Sequence, residues 1–258
     1  MKICQHVHAA AVASSAMPTA GPYTTTAPMT QPHGYHDHIN HELLARLPVD
    51  AQRVLEIGCG SGALAVAYRQ RNPVAHYTGV EKALQPAQQA AARLHATVHG
   101  DIEAPACLAA LDRHAQGKQW DLIVCGDVLE HLLDPLRTLA DLRLRTRPGG
   151  QCMACIPNIG HYSIVHQLLR AQWNYADAGL LDRTHLRFFT LPTMAALFQQ
   201  SGWVLRECTA RVIDEAATMR GIASLLPLAP VLGLDPAQMQ LHLSAYQWIV
   251  RAENPVQP

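Results

Sequence analysis

The sequence predicts an α/β fold in which a mostly parallel sheet carries helices on both faces. Short apolar segments typical of buried strands alternate with segments whose apolar residues recur at helical spacing. Because strands joined through a helix run parallel by right-handed crossovers, this alternation indicates the type of sheet. The strands are predicted near residues 53–57, 76–80, 96–99, 121–125 and 150–155, and the helices near 62–71, 83–94, 104–115 and 135–145.

The alternation resumes in the last third of the chain. A helix is predicted from about 192 to 201 with Gly202 as its C-cap, because glycine tolerates the left-handed backbone that ends many helices. A strand at 203–208 follows it, and alternating apolar and polar residues at 245–251 indicate a final strand. Residues 213–244 are rich in proline and leucine, and their role stays open between an acceptor lid, a dimer surface and core.

The first residues of the chain differ from the rest. Residues 1–33 are dominated by Ala, Thr, Ser, Pro and His without a sustained apolar period, which predicts a disordered tail before a domain at 34–258. The apolar stretch at 9–13 is too short for a secretory signal, and no apolar run reaches the roughly 18 residues of a membrane span. A cytoplasmic location is therefore expected. A helix is predicted near 35–47, with residues 35–37 as a candidate lid.

Composition limits the partners of this chain. Its 258 residues have a formal net charge of zero and no long basic run, so a nucleic-acid substrate is not expected. Seven cysteines, an odd number, fit a reducing compartment better than a disulfide framework. Cys152 and Cys155 have the spacing of a metal pair, but residues three apart in a strand face opposite ways, so buried thiols are predicted.

A glycine-rich turn follows the first predicted strand directly. Gly58, Gly60 and Gly62 recur at alternate positions, where glycine lets the backbone approach a ligand closely, and the next helix offers free N–H groups. This pattern predicts a site for a nucleoside-bearing cofactor. Gly58-x-Gly60-x-x-Ala63 also fits the dinucleotide fingerprint, with Glu81 about 20 residues further on, so a nicotinamide-dependent oxidoreductase is the competing interpretation.

Two features distinguish the methyl-donor interpretation from the nicotinamide one. Glu56 precedes the glycines, and acidic residues lie at the ends of later strands. The segment resembles the Glu/Asp-x-Gly-x-Gly-x-Gly signature of class I S-adenosylmethionine (SAM) dependent methyltransferases, and the chain is similar to their small-molecule biosynthetic subgroup. The resemblance implies a Rossmann-like fold with seven strands, of which the last is antiparallel, and it implies SAM as the cofactor.

The resemblance also implies roles for particular residues. Glu81 would accept hydrogen bonds from the ribose hydroxyls, Asp101 would accept one from the adenine amino group, and Ile102 would pack on the adenine ring. The segment that begins at Gly126 would face the methyl donor. The implied cofactor-binding residues are Glu56, Gly58, Cys59, Gly60, Gly62, Glu81, Lys82, Asp101, Ile102, Gly126 and Asp127.

The connection after the fifth strand, at about 156–190, is far longer than the few residues usual in α/β folds, which predicts a substrate-binding insertion. Its Asp-Arg-x-His-x-Arg-Phe-Phe segment, from Asp182, resembles one that returns towards the cofactor in the same subgroup. Methyl transfer is an in-line displacement that depends mostly on alignment, with a base needed for a hydroxyl or a protonated amine. His131 is the first candidate base, followed by His161 and His185.

A metal-dependent variant of this chemistry is also conceivable. Asp127-x-x-Glu130-His131 resembles a Glu-x-x-Glu-His segment that binds a divalent ion in some methyltransferases. The same Leu-Glu-His sequence occurs widely in methyltransferases that need no metal, where these residues shape the donor pocket. The sequence therefore predicts no metal site.

Together these features predict an enzyme that methylates an oxygen of a small acceptor, such as a sugar, a lipid-linked compound or a secondary metabolite. N-methylation of an amine-bearing molecule uses the same scaffold and stays an alternative. A SAM-binding partner subunit without catalytic activity is a second alternative. Whether the protein is a monomer or a homodimer stays open.

Overall fold

A computed structural model of the protein describes residue 37 and residues 39–256. Within residues 39–256 the chain forms one seven-stranded sheet with the strand order β3-β2-β1-β4-β5-β7-β6. The strands are β1 (Arg53–Ile57), β2 (His76–Glu81), β3 (Ala96–His99), β4 (Trp120–Gly126), β5 (Thr146–Pro157), β6 (Val204–Arg211) and β7 (Gln247–Glu253).

Nine α-helices flank this sheet in the described part of the chain. They are α1 (His41–Arg46), α2 (Ala63–Arg71), α3 (Leu84–Ala91), α4 (Pro105–Ala115), α5 (Pro135–Leu144), α6 (Tyr162–Leu169), α7 (Leu191–Gln200), α8 (Glu215–Ala223) and α9 (Pro236–Ser244). Short 3-10 helices form at Leu129–His131 and Leu226–Leu228. No helix among the described residues is long and apolar enough to cross a membrane.

The strand pairing confirms the predicted mostly parallel sheet with an antiparallel last strand. β1 pairs in parallel with β2 and β4, and β5 pairs in parallel with β4. β7 runs antiparallel to both β5 and β6. Because Ile57 lies beside both Val80 and Cys125, the carboxyl ends of β1, β2 and β4 meet at one edge, where open α/β sheets bind their ligands.

Two apolar layers cover the two faces of the sheet. Leu55 belongs to one cluster of buried side chains and Val54 to the other, as the alternation of side chains along a strand requires. Cys152 lies in the same cluster as Leu55 and Cys155 in the same cluster as Val54, and both are buried free thiols. The prediction that this pair does not close a metal site agrees with this placement.

Several element boundaries differ from prediction. Within the described residues, the helix expected near 35–47 corresponds to α1, which starts after Asn40 because Asn40 caps it by accepting a hydrogen bond from the Leu43 N–H at 3.0 Å. Gly202 has the expected positive φ of 85°, but it follows the cap residue Ser201. Most of the candidate lid at 35–37 and the predicted tail at 1–33 lie outside the described residues, so the domain boundaries stay a prediction.

Residues 213–244, whose role the sequence left open, form α8 and α9 and pack against α6. Ile222, Leu225 and Leu243 form a small buried cluster, with Tyr162 of α6 packed against it. The contact is close, since a Cβ atom at Gly221 would meet the Tyr162 ring at 2.2 Å. Residues 213–244 therefore pack against α6, which belongs to the predicted insertion.

Candidate active site

A cavity of about 480 Å³ opens at the carboxyl ends of β1 and β4. One side is lined by the glycine turn that leads into α2. Another is lined by the Gly126 to His131 segment and by residues of the predicted insertion between Ala178 and His185. The predicted cofactor segment and the predicted acceptor segment therefore share a single cavity.

The glycine turn is shaped by its backbone. Gly58, Gly60 and Gly62 all have positive φ, at 70°, 53° and 84°, which side chains rarely allow. The N–H groups of Gly58 and Cys59 both donate to the Val80 carbonyl, at 2.9 and 3.0 Å. These bonds fix the start of the turn against β2 and place Cys59 in the cavity wall.

Glu81 lies at the end of β2, as predicted, and holds the turn in place. Its carboxylate accepts hydrogen bonds from the Gly60 N–H at 2.9 Å and from the Ala83 N–H at 2.7 Å. The side chain is buried. Since a carboxylate oxygen can accept more than one hydrogen bond, acceptor capacity is left for a further ligand.

Lys82, Asp101 and Ile102 lie beside Glu81, at the ends of β2 and β3. The Lys82 ammonium is 2.8 Å from the Asp101 carboxylate, and this contact holds the pKa of Asp101 below its usual range. Ile102 is buried in the core. The structure thus brings these three predicted residues together, next to the main cavity and outside its described lining.

Glu56 is a buried carboxyl group at the end of β1 that lines the cavity. Burial, with the nearby charge of Glu81, raises the pKa of Glu56 to about 8. The Tyr77 hydroxyl partly opposes this rise, and the Glu56 Oε2 atom has no hydrogen-bond partner of normal geometry among the described residues. Because an uncompensated carboxylate is costly to bury, this group suits a ligand that brings a positive charge.

Asp127 is held by a network that the sequence analysis missed. It has a positive φ of 55°, its carboxylate accepts a hydrogen bond from Gln247, and the Gln247 side-chain oxygen accepts one from Arg211. Arg211 also lies 3.1 Å from the Glu42 carboxylate. The only sign of this network in the sequence was a polar residue, Gln247, within the mostly apolar segment of the last strand.

The insertion returns to the cavity by hydrogen bonds to a single carbonyl group. The Glu130 carbonyl, in the 3-10 helix after β4, accepts from the Leu186 N–H at 2.8 Å and from the Arg187 N–H at 3.0 Å. These bonds place His185 beside His131, with ring centres 4.8 Å apart and ring planes 70° apart. Two of the three predicted catalytic histidines therefore meet.

Hydrogen bonds fix the tautomers of both rings. His131 Nδ1 lies 3.2 Å from the Thr184 carbonyl, and His185 Nδ1 lies 3.3 Å from the Leu180 carbonyl. A carbonyl oxygen only accepts, so each neutral ring donates its Nδ1–H and keeps the lone pair on Nε2. Asp182 supports this arrangement, since it accepts from the Thr184 hydroxyl at 2.7 Å while Thr184 Oγ1 contacts His131 Nδ1 at 3.1 Å.

The Glu130 side chain lies against the two histidines. It is 1% exposed, and neither carboxylate oxygen has a hydrogen-bond partner within the described residues. Its Oε1 is 4.0 Å from His185 Nε2. Burial, with the charge of Asp127 nearby, raises the pKa of Glu130 well above its usual range, and burial next to His131 lowers the pKa of His185.

His161, the third predicted catalytic histidine, occupies a different place. It caps α6, because its Nδ1 accepts hydrogen bonds from the Ser163 N–H at 3.4 Å and the Ser163 hydroxyl at 2.8 Å. Burial lowers the pKa of His161 to about 4. It is not among the described residues that line the cavity, so the structure does not bring it to the other two.

The sequence profile of the methyltransferase domain family matches residues 32–208, more than half of the chain. The chain belongs to the class I SAM-dependent methyltransferase family. SAM is the cofactor of this family, which confirms the predicted cofactor and removes the support for a nicotinamide-dependent oxidoreductase.

Among the relatives of this methyltransferase are two ubiquinone biosynthesis O-methyltransferases. That of Aeromonas salmonicida is 27% identical over 158 residues, which cover 60% of this chain and 64% of the relative. That of Cereibacter sphaeroides is 31% identical over 134 residues, which cover 52% of this chain and 53% of the relative. The match thus spans between half and two thirds of the length of these curated relatives.

Solved structures share the fold of this methyltransferase. A SAM-dependent methyltransferase from Archaeoglobus fulgidus has a TM-score of 0.56 at 15% identity, with 83% of this chain and 93% of that chain covered. The N-methyltransferase NodS from Bradyrhizobium japonicum, in complex with S-adenosylhomocysteine, has a TM-score of 0.51 at 15% identity, with 84% and 82% covered. This likeness confirms the predicted Rossmann-like fold class.

Proposed function

We propose that this protein transfers the methyl group of SAM to a hydroxyl oxygen of a small-molecule acceptor. The observation that carries the proposal is the shared cavity, lined both by the glycine turn and by the cluster of Glu130, His131 and His185. The relatives named as O-methyltransferases support oxygen as the acceptor atom.

The residues around the glycine turn fit SAM. The cofactor carries a sulfonium and an α-ammonium, and the buried carboxyl group of Glu56, with one oxygen unpartnered in the described structure, suits a positively charged ligand. Glu81 keeps acceptor capacity for the ribose hydroxyls, and Asp101 lies close by for the adenine amino group. Gly126 and Asp127 line the cavity between the two regions, where the methyl donor is expected.

When bound, SAM supplies a methyl carbon that is already activated for displacement. The protein then has to hold the acceptor oxygen in line with that carbon and to remove its proton. With SAM bound, the oxygen–carbon bond would form while the carbon–sulfur bond breaks, and a base would take the hydroxyl proton. His131 and His185 are the candidate bases, because each keeps an unprotonated Nε2 in its neutral form.

The acceptor belongs, on this proposal, to the sugars, lipid-linked compounds or secondary metabolites expected from the sequence. A nucleic acid is not expected, because the formal net charge is zero. A cytoplasmic location is retained as part of the proposal.

The test is an assay of the purified protein with isotopically labelled SAM and matched acceptor pairs. Each pair consists of a phenol, catechol or sugar and its analogue in which an amine replaces the hydroxyl, with the products identified by mass spectrometry. Methylation of hydroxyl acceptors supports the proposal. Methylation of the amines alone would show N-methylation. Saturable SAM binding without transfer to any acceptor in the panel would favour a non-catalytic partner subunit.

A further inference from the structure

We propose that Arg211 binds a carboxylate of the acceptor, so that the protein selects hydroxylated carboxylic acids from the broader class of small hydroxyl compounds. Arg211 is the last residue of β6, and it lines the shared cavity. Methyl transfer to such an acid rests on the proposed function, whereas the binding of the acid by Arg211 does not.

The charge of Arg211 is unusual within the cavity. Among the described residues that line it, Arg211 is the only lysine or arginine. A guanidinium stays protonated at every pH at which proteins are folded, so this part of the cavity is permanently positive. Burial raises the pKa of Glu56 to about 8 and that of Glu130 well above its usual range. These shifts reduce the negative charge that would repel an anion from the cavity.

Only part of the guanidinium is occupied. Its Nε–H donates to the Glu42 carboxylate at 3.1 Å, and its Nη1 donates to the Gln247 side-chain oxygen. Its Nη2 has no hydrogen-bond partner within the described part of the chain. Since arginine carries five N–H donors, both donors on Nη2 and one on Nη1 are left for a ligand. Paired donors of this kind are the usual means by which arginine holds a carboxylate.

Glu42 is a weak competitor for the charge of Arg211. The Glu42 side chain, on α1, is 43% exposed, whereas that of Arg211 is 20% exposed. An ion pair with so exposed a partner contributes little free energy, because water and salt screen it. A carboxylate bound on the cavity side would be screened less. The ion pair with Glu42 therefore leaves Arg211 able to bind an acceptor.

Arg211 lies on the side of the cavity away from the glycine turn. The strand order places β4, β5 and β7 between β1, which carries that turn, and β6. Because neighbouring strands are ~4.8 Å apart, the end of β6 lies roughly 14 Å across the sheet from the end of β4, which leads to His131. The arginine side chain covers part of this distance. An acceptor about the size of one ring with a carboxylate would cover the remainder.

A chain of hydrogen bonds connects Arg211 to the end of β4. Gln247 accepts from Arg211 and donates to Asp127, which follows β4 directly. All three residues line the cavity. Because Gln247 and Glu42 both hold the guanidinium, its direction is set before a ligand binds, and less conformational entropy is lost on binding.

An acid held at Arg211 would also have its hydroxyl group placed. The carboxylate would fix one end of the acceptor, and displacement at a methyl carbon depends on such alignment. A neutral analogue of the same shape would leave the guanidinium without this partner. Sites that hydrogen-bond a substrate group discriminate strongly against analogues that lack it.

The test compares two acids with their neutral amides. The pairs are dihydroxyphenylacetate with dihydroxyphenylacetamide, and glucuronate with glucuronamide. Each compound is titrated by calorimetry into full-length protein saturated with S-adenosylhomocysteine, which permits binding without turnover. Assays with labelled SAM then give kcat/KM for the same compounds.

The variants are Arg211→Gln, Arg211→Lys and Glu42→Gln. The matched control is Arg206→Gln, because Arg206 lies on the same strand and makes a similar ion pair with Glu253, at 3.2 Å. Thermal melting shows whether each variant is folded. Arg211→Lys and Glu42→Gln carry the test if Arg211→Gln is not.

The wild type and Arg206→Gln are expected to bind at least one acid more tightly than its amide. Arg211→Gln should weaken binding of that acid about 10- to 150-fold, the equivalent of the lost charged hydrogen bonds, and leave the amide nearly unchanged. Arg211→Lys should restore only part of the preference, because an ammonium lacks the planar fork. Glu42→Gln should strengthen the preference, whereas a purely structural ion pair would lower the melting temperature of both variants without changing it.

Equal affinity of the wild type for acid and amide in both pairs, or an unchanged preference in the folded Arg211 variants, would overturn the assignment. Weaker S-adenosylhomocysteine binding in Arg211→Gln with an unchanged acceptor preference would also overturn it, because Arg211 would then hold the cofactor. Methyl transfer to acid and amide alike leaves the proposed function standing alone. Acid binding that depends on Arg211, without transfer, leaves only the carboxylate site standing.

Discussion

The proposed cofactor half and the proposed acceptor half of the cavity are constructed differently. The proposed cofactor half consists of the glycine turn and Glu56, and Glu81 and the neighbouring ends of β2 and β3 lie beside it. The proposed acceptor half is lined by Glu130 and His131 of the 3-10 helix and by the Ala178 to His185 part of the insertion, and Arg211 and Gln247 also line the cavity. The first is mostly backbone that follows consecutive strands, and the second is mostly side chains from distant parts of the chain.

This difference has a chemical consequence. A cofactor common to a whole family can be held by backbone N–H groups and strand-end carboxylates, which depend on the fold. An acceptor has to be chosen and activated by particular side chains, and His131 and His185 meet where the insertion folds back onto the Glu130 carbonyl. Changes in the two halves should therefore affect different measurements.

The largest expected effect belongs to the acceptor half. His131→Ala and His185→Ala should each lower turnover by about a hundredfold or more, the usual loss for removal of a group that handles the proton. Affinity for SAM should change little. Turnover and SAM titrations measure the two quantities. His161→Asn, which keeps a capping side chain on α6, is the control, and unchanged turnover in both alanine variants would refute the assignment.

A substitution in the cofactor half should give the opposite pattern. Glu81→Ala should weaken SAM binding by roughly 1.5 to 3 kcal/mol, or about 10- to 150-fold, because charged hydrogen bonds to the ligand and to the Gly60 N–H are lost. Calorimetry with SAM measures the change. Glu207→Ala, an exposed position on β6, should bind SAM like the wild type. Normal affinity of Glu81→Ala would contradict the ribose assignment.

The pH dependence of SAM binding probes Glu56. Its pKa of about 8 in the ligand-free protein means that the carboxyl group is largely protonated at pH 7, and a cationic ligand favours the ionised form. Because the α-amino group of SAM also loses its proton in this range, the affinity of the wild type relative to Glu56→Gln should rise about tenfold from pH 7 to pH 9. Calorimetry in two buffers of different ionisation enthalpy detects the protons that Glu56 releases on binding. An equal pH dependence of SAM affinity in the wild type and in Glu56→Gln would exclude Glu56 as the source.

The smallest expected effect concerns the support of His131. Thr184→Val keeps the side-chain shape but removes the hydroxyl between Asp182 and His131, so kcat should fall about 2- to 13-fold, the equivalent of one net hydrogen bond. KM for the acceptor and Kd for SAM should not change. Thr184→Ser should restore kcat. A rise in KM without a fall in kcat would indicate that Thr184 shapes the acceptor pocket instead.

The fold and most of the cofactor half could be read from the sequence. Glycines at alternate positions, apolar runs of strand length and helical spacing are properties of short segments, so Gly58, Gly60, Gly62 and Glu81 were all found where the structure has them at the strand ends. The mixed sheet also followed, because a final strand was predicted at 245–251 and the family resemblance implied its antiparallel direction. The boundaries of α1 did not follow, since its start depends on the cap residue Asn40.

The acceptor half was predicted only in part. The sequence put His131 forward as the first candidate base because it follows the fourth strand, and His161 and His185 after it because they lie in the insertion. Tertiary structure divided them, since His161 caps a helix while His185 lies against His131. Arg211 and Gln247 had no motif to mark them.

The sequence by itself determined that the protein is a doubly covered, mostly parallel sheet with a glycine turn for a nucleoside cofactor. Those features depend on local periodicity and on backbone conformations that glycine permits, which neighbouring residues specify. Tertiary structure alone decided that the Glu130 side chain is buried and lies beside His131 and His185. That meeting depends on two N–H groups of the insertion, Leu186 and Arg187, binding one carbonyl far away in the chain, and local sequence does not specify such long-range packing.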